Sequence, residues 1–134
     1  MWLKRTTYMI EPIILISDEW PSRALIRAEL IEEGYEVQGL LSLEDALRLL
    51  STNTTRPRLI IFDAAGYSLD PSALECLKEM SLKAPILICA SRYQASQVDF
   101  KGLGFDSLLV RPYTVGDLVG RVKTILRGKA DIDN

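Results

Sequence analysis

Three stretches of the chain are apolar without alternation: Ile13-Ile14-Leu15-Ile16, Leu59-Ile60-Ile61-Phe62 and Ile86-Leu87-Ile88-Cys89-Ala90. Such runs read as strands buried on both faces, the habit of a parallel sheet covered by helices. Tyr35 to Leu40 alternates instead, Tyr and Val against Glu and Gln, as a half-exposed edge strand does. Leu108-Leu109-Val110 is a fifth, shorter run that stops at Arg111-Pro112.

Between these runs the pattern turns helical. Pro21 suits a first helical turn, and the helix runs to about Glu33 with Ala24, Leu25, Ala28 and Ile31 on one side. Gly34 is placed to stop it. Ser42-Leu43-Glu44-Asp45 resembles a capping box with Asp for Glu, opening a short helix that ends at Leu49-Leu50. Asp70-Pro71 reads as an N-cap and first helical residue, leading a helix through Leu74, Leu77 and Met80. Gly102 and Gly104 predict a short or irregular helix within residues 92–104. Thr114 with Asp117 caps a last helix bearing Val115, Leu118, Val119, Val122, Ile125 and Leu126, with Gly128 at its end. Strands alternating with about five helices imply right-handed crossovers and an α/β, doubly wound, five-stranded parallel sheet. The expected organisation is an extension over residues 1–8, one domain over 9–127 and a disordered tail over 128–134.

Composition narrows the function. The 134 residues are 48% apolar and 25% charged, the balance of an ordinary globular domain. A net charge of −2, with no run of Lys or Arg, offers no basic footprint for nucleic acid. No apolar segment approaches a membrane span and no signal peptide opens the chain, so a cytoplasmic location is expected. Cys76 and Cys89 fall in a predicted helix and a predicted core strand, as small hydrophobes. The absence of histidine excludes His-based acid–base chemistry and His metal sites.

The polar groups at the strand ends are the candidate chemistry. In open α/β sheets the ligand crevice lies outside the carboxyl ends of the strands. Asp18 and Glu19 follow the first strand, Asp63 the third and Arg111 the fifth. Carboxylates crowded together raise one another's pKa, and a hard divalent cation such as Mg²⁺ resolves the repulsion. A guanidinium beside them suits a phosphoryl group. A metal, a nucleophilic carboxylate and a cation together are the parts of aspartyl-phosphate chemistry.

At this point the chain resembles the receiver domain of bacterial response regulators, over roughly residues 9–127. The resemblance rests on Asp18-Glu19, on Asp63, and on the ending Leu-Gly-Phe-Asp-Ser-Leu-Leu-Val-Arg-Pro-Tyr at residues 103–113. It implies a flavodoxin-like sheet of strand order 2-1-3-4-5 and a cis Arg111–Pro112 bond. It implies that Asp63 is a phosphoacceptor served by a sensor histidine kinase or phosphotransfer protein. Asp18, Glu19 and Asp63 would hold Mg²⁺ with the backbone carbonyl of Ala65. Such a domain is a signalling device, at most slowly self-phosphorylating and self-dephosphorylating.

Several positions depart from the family's pattern, so the resemblance is to an atypical, degenerate member. Arg111 stands where the family has Lys, keeping the charge without the compact ammonium. Ala90 stands at the hydroxyl switch position and Leu108 at the aromatic one, with Ser91 the neighbouring hydroxyl. The loop after Asp63 lacks the family's Met-Pro. Only seven residues follow Arg127, so a stand-alone receiver is expected, with output through a downstream protein or a homodimer. The face of the fourth helix, fifth strand and fifth helix is the expected contact surface. A pseudo-receiver that binds partners without phosphorylation is the competing expectation. A nucleotide or flavin binder would need a Gly-rich first loop, where Asp18-Glu19-Trp20-Pro21 is acidic and stiff.

Overall fold

The structure, a computed structural model, describes the backbone of residues 11–133 and side chains through Gly128. The expected extension over residues 1–8 lies outside the described residues. Strands β1 (Ile13–Ile16), β2 (Val37–Leu40), β3 (Leu59–Asp63), β4 (Ile86–Ala90) and β5 (Ser107–Val110) alternate with five helices. These are α1 (Trp20–Glu32), α2 (Leu43–Leu50), α3 (Pro71–Ser81), α4 (Arg92–Gln97) and α5 (Val115–Asp133). All pairings are parallel, in the order β2-β1-β3-β4-β5. This is the flavodoxin-like order that the resemblance implied.

Strand alternation divides the core in two. Ile14, Ile16, Ile60, Phe62, Ile86 and Ile88 face α2 and α3, with Ala46, Leu77 and Met80 packed on them. Ile13, Leu15, Leu59, Ile61, Leu87 and Cys89 face α1 and α5, meeting Ile26, Leu30, Leu118 and Val122. Each fully buried side chain of this size contributes about 1.5–3 kcal/mol, which holds the three inner strands as the rigid floor of the site.

The buried face of α1 differs from the expected one. Ala24, Leu25, Ala28 and Ile31 are exposed, and Ile26 and Leu30 face the sheet. Two arginines disguise that inner face. Arg23 donates to the Ser17 carbonyl at 2.6 Å and Arg27 to the Val37 carbonyl at 3.2 Å, so both heads find backbone acceptors at the sheet, with the Arg23 stem lying over Gly39.

Helix ends follow local chemistry. Ser42 caps α2 by accepting from the Asp45 N–H, while the Asp45 carboxylate accepts from Arg48 and does not complete the box. Asp70 accepts from the Ala73 N–H at 2.8 Å, with Pro71 beginning α3. Thr114 and Asp117 form the reciprocal pair that opens α5. Gly128, expected to end that helix, lies inside it, and the helix continues to Asp133. Stacked i→i−4 bonds outweigh the roughly 1 kcal/mol that one glycine costs. The residues expected as a disordered tail are therefore helical as far as Asp133.

Candidate functional site

Register brings the site together. Ile16 pairs with Phe62, so Ser17, one residue on, lies beside Asp63. Asp63 pairs with Cys89 on its other side. Asp63, at the end of β3, is 4% exposed. A carboxylate so placed needs hydrogen bonds, because burying an unpaired charge is prohibitive. It has three. Ser17 Oγ donates to Oδ2 at 3.1 Å. Arg111 Nη2 and the Ala65 N–H reach Oδ1 at 3.3 and 3.4 Å.

The Arg111–Pro112 peptide bond is cis. Burial works against the Arg111 charge, but the Asp63 carboxylate and Tyr113 outweigh it and hold the guanidinium above its usual value. Arg111 Nε is buried without a hydrogen-bond partner among the described residues, so the guanidinium keeps an unused donor beside Asp63. Asp63 and Arg111 line two clefts. One, of about 240 Å³, is shared with Asp18, Glu19, Ala65 and Gly66. The other, of about 330 Å³, runs along Ser22, Leu25, Ile26, Pro112, Tyr113 and Val115.

The expected metal residues thus share one cleft, though unequally. A Cβ on Gly66 would sit 2.9 Å from Asp18 Oδ2, so the bare glycine is what leaves room for that carboxylate. The Glu19 carboxylate turns to its own helix and accepts from Ser22 Oγ at 2.8 Å. Among the described residues, no three carboxylate or thiolate side chains converge closely enough to hold a metal ion by themselves. The cleft nevertheless gathers carboxylates about a single cation, and Mg²⁺ needs only one or two carboxylates with waters and phosphate oxygens.

Of the atypical positions, Arg111 lies in the site, and Ala90, Leu108 and Ser91 lie outside the cleft. Ala90 is fully buried among the residues facing α2 and α3, and Leu108 packs on the same cluster. Ser91 is the N-cap of α4 and accepts from the Gln94 N–H at 3.1 Å. Below the site, burial pushes the Cys89 thiol up to about 12, and burial likewise raises Tyr113 above the usual tyrosine range. Two residues of this neighbourhood are not flagged by reading charge alone. Ser17 could have been found by parity, since Ile13, Leu15 and Ser17 share a face with Leu59, Ile61 and Asp63. Gln94 could have been found from Ser91-x-x-Gln94, a capping box.

No family model matches the chain. Its relatives are response regulators. It is 32% identical over 120 residues to the transcriptional regulatory protein PrrA of Mycobacterium leprae, covering 86% of this chain and 49% of that protein. The chain spans about half the length of the curated relatives it matches. The response regulator TrrA of Thermotoga maritima, solved in complex with Mg²⁺ and BeF, is 28% identical with a TM-score of 0.65, covering 86% of this chain and 98% of that one. The receiver domain of a Luxo repressor protein from Vibrio parahaemolyticus superposes with a TM-score of 0.75 at 17% identity, over 93% and 96% of the two chains. Fold, site and relatives define one class, and the chain belongs to the response-regulator receiver domains of two-component systems. Among the described residues, no helix is long and apolar enough to cross a membrane.

Proposed function

We propose that this receiver accepts a phosphoryl group on Asp63 and signals through protein contacts in the cytoplasm. The observation that carries the reading is the unused, buried Nε of Arg111 beside a strand-end carboxylate, in a cleft that also holds Asp18. A carboxylate oxygen of Asp63 attacks phosphorus, the bond from phosphorus to the donor breaks, and the leaving group departs with the electron pair. The donor is a phosphohistidine of a sensor kinase or phosphotransfer protein, or a small acyl phosphate. Asp18, Asp63 and the Ala65 carbonyl are the residues that would hold Mg²⁺, with Glu19 at the rim. The ion would supply charge neutralisation for the phosphoryl oxygens. Arg111 and the Ala65 N–H would bind the oxygens that develop charge, and Ser17 would hold Asp63 in place.

Labelling with a radioactive acyl phosphate tests the reading. Incorporation should require Mg²⁺ and vanish in Asp63→Ala. Gly66→Ala crowds only the mobile end of Asp18, so stability should hold while Mg²⁺ affinity, read from Trp20 fluorescence in a Trp2→Phe background, falls about tenfold, or ~1.4 kcal/mol. Labelling of Asp63→Ala at the wild-type level would refute the assignment.

A second reading has its own observation. Both Asp63 oxygens are already satisfied by Ser17, Arg111 and Ala65. A pseudo-receiver would keep that closed arrangement and bind its partner, or a second copy across α4, β5 and α5, without phosphorylation. Absence of Mg²⁺-dependent labelling, with partner binding intact, would select it.

A further inference from the structure

Gln94 is the one buried amide side chain among the described residues, 9% exposed on a helix of only six residues. Its Oε1 accepts from the Ser91 N–H at 3.0 Å, completing the α4 capping box. That acceptor fixes the amide's orientation and sends Nε2 the other way. There Nε2 donates to the Ala64 carbonyl at 2.6 Å and the Tyr67 carbonyl at 3.1 Å. A flipped amide would set oxygen against two carbonyls and nitrogen against an N–H, so the assignment is forced.

The two carbonyls belong to the loop that follows Asp63. Ala64 O and the Ala65 N–H are the two ends of a single peptide group. One end is held by Gln94, and the other donates to Asp63 Oδ1 at 3.4 Å. The Tyr67 N–H also bonds Ala64 O, at 2.9 Å, closing the turn. On the far side the Tyr67 hydroxyl donates to the Leu41 carbonyl at 2.7 Å, and its ring packs 4.9 Å from that of Phe62. The loop is thus clamped from both sides, and on the β4 side Gln94 is the clamp.

We infer that Gln94 is a positioning residue for the Asp63 site. It sets the plane of the Ala64–Ala65 peptide, aims the Ala65 N–H at whatever occupies Asp63, and ties the start of α4 to that loop. Ala90 has no hydroxyl to make a contact from the end of β4, and Gln94 reaches the same loop from four residues further on. The inference rests on the phosphoacceptor reading for its ligand, though not for the clamp itself.

Gln94→Glu separates the two jobs of this side chain. A glutamate still caps α4, as Glu commonly does at this position of a capping box. It cannot donate to Ala64 and Tyr67, and sets a carboxylate oxygen against them. The measurement pairs calorimetric titration with Mg²⁺ and beryllofluoride with amide exchange at Ala65 and Tyr67, on the full chain. Gln94→Glu should weaken beryllofluoride binding at least tenfold and speed Ala65 exchange by a similar factor, while helix content is unchanged. Gln94→Ala, which loses cap and clamp together, should match it at Ala65 and additionally speed exchange in α4. Wild-type binding and exchange in Gln94→Glu would overturn the inference. If the wild-type chain takes up no beryllofluoride, the phosphoacceptor reading fails by itself. Ala65 exchange in the unliganded protein then decides, with faster exchange in Gln94→Glu supporting the clamp and equal exchange refuting it.

Discussion

The two halves of the strand-end site are built to different standards. On the β1–β3 side every strand residue from Ile13 to Ile16 and from Leu59 to Phe62 is fully buried, and Asp63 is held by three donors. On the β4–β5 side β4 is just as buried, but all four residues of the edge strand β5 are only half-buried and α4 spans six residues. Ala90 and Leu108, at the positions the resemblance implies for the switch, carry no polar side-chain group there. On the proposed function, the contrast makes holding a ligand at Asp63 and relaying its presence separable tasks. Rigid burial serves the first, and a small set of side chains able to move serves the second.

Stability measurements offer the largest expected difference. Phe62 is fully buried beneath the Ala64–Tyr67 loop, and Phe62→Ala should cost about 3–5 kcal/mol in a urea titration. Leu108→Ala, at a half-buried edge position, should cost about 1–2 kcal/mol. Equal costs would break the comparison, because they would make the β5 edge as firmly packed as the central strand.

What could be read from the sequence divides along the same line. Unbroken runs such as Ile13–Ile16 and Ile86–Ala90 announce buried parallel strands, whereas their order came only from the resemblance to receiver domains and matches the observed sheet. The family ending at residues 103–113 likewise announced Arg111, which the structure sets 3.3 Å from Asp63. Faces were harder. Helix α1 is apolar on two sides, and the side facing the sheet carries Arg23 and Arg27, whose heads bond carbonyls that only the folded sheet supplies. Glu19 follows Asp18 in the chain and lines the same cleft, yet its carboxylate is engaged by Ser22, a contact that charge pattern alone does not foretell. The Ser91-x-x-Gln94 box marks Gln94 as a cap, but its bonds to backbone carbonyls thirty and twenty-seven residues away are recorded in no local pattern.

A pH titration probes the β4 side next. Cys89 is fully buried beside Asp63, and burial raises its thiol to about 12 from an ordinary 9. Between those values the unfolded chain has released the proton while the native state keeps it. Stability from this group is therefore fully present below pH ~9 and is lost as pH rises toward 12. The slope is at most about 1.4 kcal/mol per pH unit within that window. Cys89→Ala should flatten the alkaline limb of a plot of stability against pH. An unchanged limb would assign the loss to Tyr113, which burial also raises.

The smallest expected effect concerns the relay itself. A ligand shifts an equilibrium only by its differential interaction with the two states. A phosphoryl group on Asp63 finds Arg111 and the Ala65 N–H within reach, and no hydroxyl at Ala90 whose movement would draw an aromatic from β5. The lost contact is a charge-assisted hydrogen bond, worth roughly 1.5–3 kcal/mol. Partner binding or dimerisation across α4, β5 and α5 should therefore change less than tenfold, under ~1.4 kcal/mol, when beryllofluoride occupies Asp63. Whatever response remains should be confined to α4, the element that Gln94 ties to the loop. Adding Ala90→Thr with Leu108→Tyr should raise the coupling, and exchange along β5 should then slow on beryllofluoride binding. A tenfold or larger response in the unaltered chain, with β5 protected, would show that Arg111 or Ser91 relays the signal after all, and the separation between holding and relaying would fall.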